Sequence, residues 1–165
     1  MTSRSTGAHV PAETPAAQLA RFMARFDPTV ARVAEEARTI LRERFPAAFE
    51  LVYDNYNALA IGFSPTEKTP DAIVSVTLYP RWVSLFFLYG ATLPDPLGLL
   101  QGSGRQVRSI RLVSADTLKT RGVRALLRAA EGQSDIPMPK VGRGALIIKS
   151  IASRQRPRRL GTAPR

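Results

Sequence analysis

Residues 72–89 read AIVSVTLYPRWVSLFFLY. β-Branched and aromatic side chains dominate both halves, which suits a pleated, half-buried backbone. Only Pro80-Arg81 separates the two runs, so they are expected to be neighbouring strands with a short antiparallel connection. Alternation along the second run puts Phe87 and Tyr89 on one face and Trp82 and Phe86 on the other, and at least one of these pairs should be core.

The pattern continues on both sides. Toward the N-terminus, Ser64 to Asp71 (SPTEKTPD) is a turn by composition. Ala58 to Phe63 (ALAIGF) is apolar on both faces, as in a central strand. Phe49 to Tyr56 (FELVYDNY) alternates, with Leu51 and Tyr53 opposed to Glu50, Val52 and Asp54. Toward the C-terminus, Gly90 to Leu100 holds two prolines and two glycines and reads as a loop with room for one helical turn. Val107 to Val113 (VRSIRLV) alternates as a half-exposed strand.

Helices bracket the strands. Thr14-Pro15 and Asp27-Pro28 each place a side-chain oxygen at an N-cap and proline at the first helical position. They predict a short helix carrying Leu19, Phe22, Met23 and Phe26, a corner, and a second helix to about Arg44. The second helix sets Val30, Val33, Ala34, Ala37, Ile40 and Leu41 on one face. A third helix lies within Ala115–Gln133, with Leu118, Val123, Leu126, Leu127 and Ala130 as its stripe. Residues 137–144 look irregular, and Ala145–Ile151 reads as a last strand or an amphipathic extension. The expectation is an α+β domain of two layers, an antiparallel meander of about five strands covered by N-terminal and C-terminal helices through the Val30 and Leu126 stripes. Residues 1–14 are expected to form a disordered leader, 15–151 one domain, and 152–165 a basic flexible tail.

The sequences ELVYDNYNALAIGF (50–63), SVTLYPRWVSLFFLYGATLPDP (75–96) and LLQGSGRQVRSIRL (99–112) resemble the YdhG-like family, a bacterial domain of unknown function. The resemblance covers about half the chain. It implies an antiparallel sheet covered by helices. Some members of that family are similar to frataxin in structure and have been regarded as iron chaperones.

Composition narrows the chemistry. The 165 residues suit one domain, and no apolar run approaches the ~18–20 residues of a membrane span. Zero cysteines remove disulfides, thiolate nucleophiles and cysteine-ligated zinc, and a reducing cytoplasm is the simplest setting. The only histidine, His9, lies in the expected leader, away from any rigid scaffold that could position it. No catalytic group and no cofactor are therefore expected.

The net charge of +11 is uneven: residues 1–100 carry nine Lys/Arg against ten Asp/Glu, and residues 101–165 carry fifteen against three. Arg154, Arg156, Arg158 and Arg159 concentrate charge near the C-terminus, which offers nucleic acid a contact without sequence specificity. Gly102-Ser103-Gly104-Arg105 followed by Arg108 offers converging backbone N–H groups and guanidinium forks to a small anion. With the polar strand residues, this suggests a shallow pocket of Tyr53, Asn55, Trp82, Arg105 and Arg108 for an anionic ligand or a protein partner. Glu35, Glu36 and Glu43 would be the iron surface in a frataxin-like reading; arginines interleaved among them suggest intrahelical pairing instead. A sheet face left uncovered by three helices would favour a dimer.

Overall fold

The computed structural model describes residue 7 and residues 11–161; His9 and Arg165 lie outside these, as does most of the expected leader. Both proline-marked starts are helix N-termini. The Thr14 hydroxyl accepts from Ala17 N at 3.1 Å and opens α1 (Pro15–Ala24), and the Asp27 carboxylate accepts from Thr29 N at 2.8 Å and opens α2 (Pro28–Arg44). Such a cap contributes about 0.5–2 kcal/mol.

Five strands follow: β1 (Phe49–Asp54), β2 (Leu59–Ser64), β3 (Val74–Leu78), β4 (Val83–Phe87) and β5 (Arg108–Leu112). Each pairs antiparallel with the next. Tyr79 N donates to Trp82 O at 2.9 Å across the Pro80-Arg81 turn, as the opening stretch predicts. α3 (Arg121–Gln133) comes next, preceded by a separate 3-10 segment, Ala115–Lys119. Thus the third helix is shorter than its apolar stripe suggests. Gly122 is tolerated in its first turn because a Cβ there would sit 2.8 Å from Leu99 Cδ1; close packing outweighs helix propensity.

The strand count and topology need one correction. Leu146–Ile151 is a sixth strand, β6, paired parallel to β1, so the sheet order is β5-β4-β3-β2-β1-β6. The reason is connectivity. α3 carries the chain within the helix layer from β5 at one edge toward β1 at the other, and a crossover through a helix returns the chain in its original direction.

Among the described residues the helices cover one face of the sheet. Val52, Ile61, Val76, Leu85 and Ile110 form one cluster with Leu41 of α2 and Leu126 of α3, which are the two stripes predicted to make the contact. Leu51, Ser75, Thr77 and Ser84 point to the opposite face. Among the described residues no helix is long and apolar enough to cross a membrane.

The C-terminal segment 152–161 also departs from expectation. It is a strap and not a loose tail. Ala152 N donates to Asp54 O at 2.8 Å and Arg156 N to Tyr56 O at 2.9 Å. The Arg158 side chain is 1% exposed and reaches Asp54 Oδ1 at 2.8 Å, while Arg159 donates to Ala24 O at 3.1 Å and Arg25 O at 3.2 Å. Positive charge alone suggests solvation; here two arginines satisfy a buried carboxylate and the otherwise unpaired carbonyls at the end of α1.

Candidate functional site

The five residues expected to share a pocket do not converge. Tyr53 is on β1 and Arg108 on β5, four strands apart, which at the usual inter-strand spacing is about 19 Å. The Tyr53 hydroxyl pairs with Thr69 Oγ1 at 2.5 Å. Asn55 is exposed and begins the β1–β2 turn, its N–H donating to Ala58 O at 2.9 Å. Trp82 lies at one end of β4, while Arg108 pairs in register with Phe87 at the other. Arg105 is exposed, and Arg108 turns back on its own loop, bonding Gly104 O at 2.5 Å and Val107 O at 2.8 Å. The guanidinium that was to grip an anion instead closes the Gly-Ser-Gly turn.

The carboxylates are also committed elsewhere. Glu35 pairs with Arg38 at 3.4 Å within α2, as the i, i+3 spacing suggests. Arg38 and Arg42 both turn toward the sheet, meeting the buried Glu50 at 2.8 and 3.2 Å. Among the described residues no three acidic or histidine side chains are grouped to hold a metal ion. The suggested set of Glu35, Glu36 and Glu43 is thus not a cluster: all three sit on one helix, and Glu35 is neutralised there by Arg38.

A cavity of about 310 Å³ lies elsewhere, where the start of β3 and the end of β4 meet the last turn of α3. Ile73, Phe87, Leu93 and Ala130, all buried, supply its apolar lining. Hydrogen bonds close its rim. The Tyr89 hydroxyl donates to Pro70 O, tying the β4 exit to the 64–72 segment. Gln133 Nε2 donates to Tyr89 O at 2.9 Å, and Gln133 Oε1 accepts from the Thr92 hydroxyl at 2.9 Å. Gly90 lets the chain turn here: a Cβ would stand 2.6 Å from Arg108 Cβ. The helical turn Gly90–Thr92, which holds Thr92 on the rim, therefore depends on glycine.

Asp71 and Asp135 are the charged groups of the lining, and among the described residues no Lys or Arg joins them. In a protein of net charge +11, this is a local reversal of sign. Asp71 Oδ2 accepts from the Thr66 hydroxyl at 2.7 Å, which orients the carboxylate. The hydroxyls of the lining all bond to amide or backbone oxygens: Tyr89 to Pro70 O, Thr92 to Gln133 Oε1, and Ser134 to Ile136 O at 2.9 Å. None is set against a base that would make it a nucleophile. The arrangement can hold a ligand by apolar contact and fix a donor or cationic end by charge.

Comparison with protein-family models, curated proteins and solved structures gives no match. Ile73 and Phe87 are legible in the sequence as strand positions, Ala130 as part of a helical stripe, and Pro70 and Asp71 as turn positions. Their convergence is not, because it joins residues 70–73, 87–93 and 130–136, and no local pattern links segments so far apart.

Proposed function

We propose that this protein is a non-catalytic binding module, YdhG-like in kind, whose ligand is a small molecule with an apolar body and a cationic or donor end. The cavity carries the reading: two carboxylates and no basic side chain around an apolar floor of a size usual for small-ligand sites. This reverses the ligand charge expected from the Gly-rich loop, since an anion would meet Asp71 and Asp135 without a compensating cation. The bound hydroxyls of the rim support binding over catalysis.

The test is a thermal-shift comparison of small hydrophobic amines with carboxylates of the same skeleton. Amines should stabilise the wild type, by about 2.7 kcal/mol at a hundredfold excess over Kd. Asp71→Asn, which keeps an acceptor for Thr66, should weaken that response about tenfold or more in affinity, as expected for a charge-assisted bond. Equal stabilisation by the carboxylates, or an unchanged response in Asp71→Asn, would remove the proposal.

A further inference from the structure

A different surface remains unexplained by the cavity. The helix-free face of the sheet is partly covered where residues 64–72 cross it, with Thr69 against Tyr53 and Glu67 O accepting from Lys149 Nζ at 3.0 Å. Over β3, β4 and β5 no crossing segment is hydrogen-bonded to the side chains of this face among the described residues. The side chains there are Ser75 and Thr77, Ser84 and Phe86, Ser109 and Arg111, all placed on this face by register. None is a carboxylate. The two buried carboxylates of β1, Glu50 and Asp54, face the helices.

The shape is a trough. Ser75, Thr77 and Ser84 are only 6–8% exposed although no helix lies above them, so taller neighbours shade a floor of hydroxyls. At one end Tyr79 and Trp82 stack, centroids 4.6 Å apart and planes 19° apart, and the Arg111 guanidinium lies 4.7 Å from the Trp82 ring centroid. Both rings are half-buried, not core. Burial pushes the Tyr79 phenol above its ordinary value, so at neutral pH it remains a neutral donor.

We propose that this face binds single-stranded nucleic acid, with the exposed Arg111 guanidinium, backed by the Trp82 ring, as the stacking platform. Charge complementarity selects a polyanion, since the face carries Arg111 and no acid on a protein of net charge +11. The aromatic–guanidinium stack selects unpaired bases, whose π-faces are accessible only in a single strand. A second copy of the chain would bring like charge against like charge. The terminal arginines are a poorer site, because Arg158 is buried on Asp54 and Arg159 is spent on α1 carbonyls.

Trp82 is the only tryptophan, so its emission reports this face directly. Titrating the full chain with a short oligothymidylate should quench it saturably, with affinity falling log-linearly with salt. Arg111→Ala should weaken binding about tenfold. Arg124→Ala combined with Arg128→Ala, on the exposed face of α3, should cost much less. Should Arg111→Ala fail to fold, Arg111→Gln gives the same reading by removing the charge while keeping most of the side chain's bulk over Trp82. Three results would each overturn the proposal: binding without quenching, an equal loss from the α3 pair, or inorganic polyphosphate or duplex binding as tightly as the single strand. A dimer that hides Trp82 from a soluble quencher would overturn it as well.

Discussion

Asp54→Ala lowers the unfolding free energy by about 3–5 kcal/mol, the usual cost of removing one partner of a buried ion pair. For a chain of 165 residues that is a fall in Tm of about 6–20 °C. The Asp54 and Arg158 side chains are 2% and 1% exposed, with Nη2 at 2.8 Å from Oδ1. Without the carboxylate the guanidinium stays between Phe26, whose ring centroid is 5.5 Å away, and the Asn55 and Tyr56 carbonyls, with its charge uncompensated. Its Nε is already buried without a partner among the described residues. Arg158→Ala should cost a similar amount by the converse route, leaving Asp54 with only Arg25 at 3.7 Å. The penalties should not add: replacing both residues by apolar ones of similar volume should recover most of the loss. Arg154→Ala should change stability by less than about 0.5 kcal/mol, as at an ordinary exposed position. Urea denaturation of the three single variants and the double variant is the measurement. Equal, small effects at Arg154 and Arg158 would mean that the strap does not hold in solution.

That contrast among neighbouring arginines marks where the sequence stops being readable. Caps, strand runs and the Pro80-Arg81 connection are local signals, and Thr14, Asp27 and the β3–β4 hairpin sit as they predict. Alternation in β1 correctly opposes Leu51 and Tyr53 to Glu50, Val52 and Asp54. It cannot say that two carboxylates share the core-facing side, because their partners lie elsewhere in the chain: Arg38 lies 12 residues from Glu50 and Arg158 lies 104 from Asp54. A run of arginines at the end of a chain looks solvated until the acceptor is known. The candidate sites failed for the same reason. Tyr53 and Arg108 seemed compatible as polar strand residues, but the strand order that separates them is a property of the whole sheet. β6 was ambiguous because its pairing partner, β1, precedes it by nearly a hundred residues, and only the α3 crossover brings the two together.

Gly144→Ala tests that junction and should be the most damaging of the small substitutions. A Cβ at residue 144 would stand 2.0 Å from Ala48 O, 2.2 Å from Ala48 C and 2.5 Å from Phe49 N. These are backbone atoms entering β1, so no rotamer change relieves the clash and one chain must move. Overpacking in a core costs about 1–3 kcal/mol when side chains can adjust; a main-chain collision should reach or exceed the top of that range. Movement would begin at the first rung of the β1–β6 ladder, where Glu50 N donates to Ala145 O at 3.1 Å. Glu50 N should therefore lose hydrogen-exchange protection first, while the β3–β4 hairpin keeps its own. Gly62→Ala is the control, because there a Cβ would meet nothing closer than 3.6 Å. That change should be neutral or stabilising by about 0.5–1 kcal/mol, the penalty glycine carries in a strand. If Gly144→Ala is as mild as Gly62→Ala, β6 does not approach β1 as closely as described. Where the clash displaces β6, the strap loses its anchor too, since the chain passes through β6 to reach Arg158, and the displaced strand should carry part of the Asp54→Ala penalty with it. Combining Gly144→Ala with Asp54→Ala should accordingly cost less than the two changes summed, and full additivity would show that strand and strap are held independently.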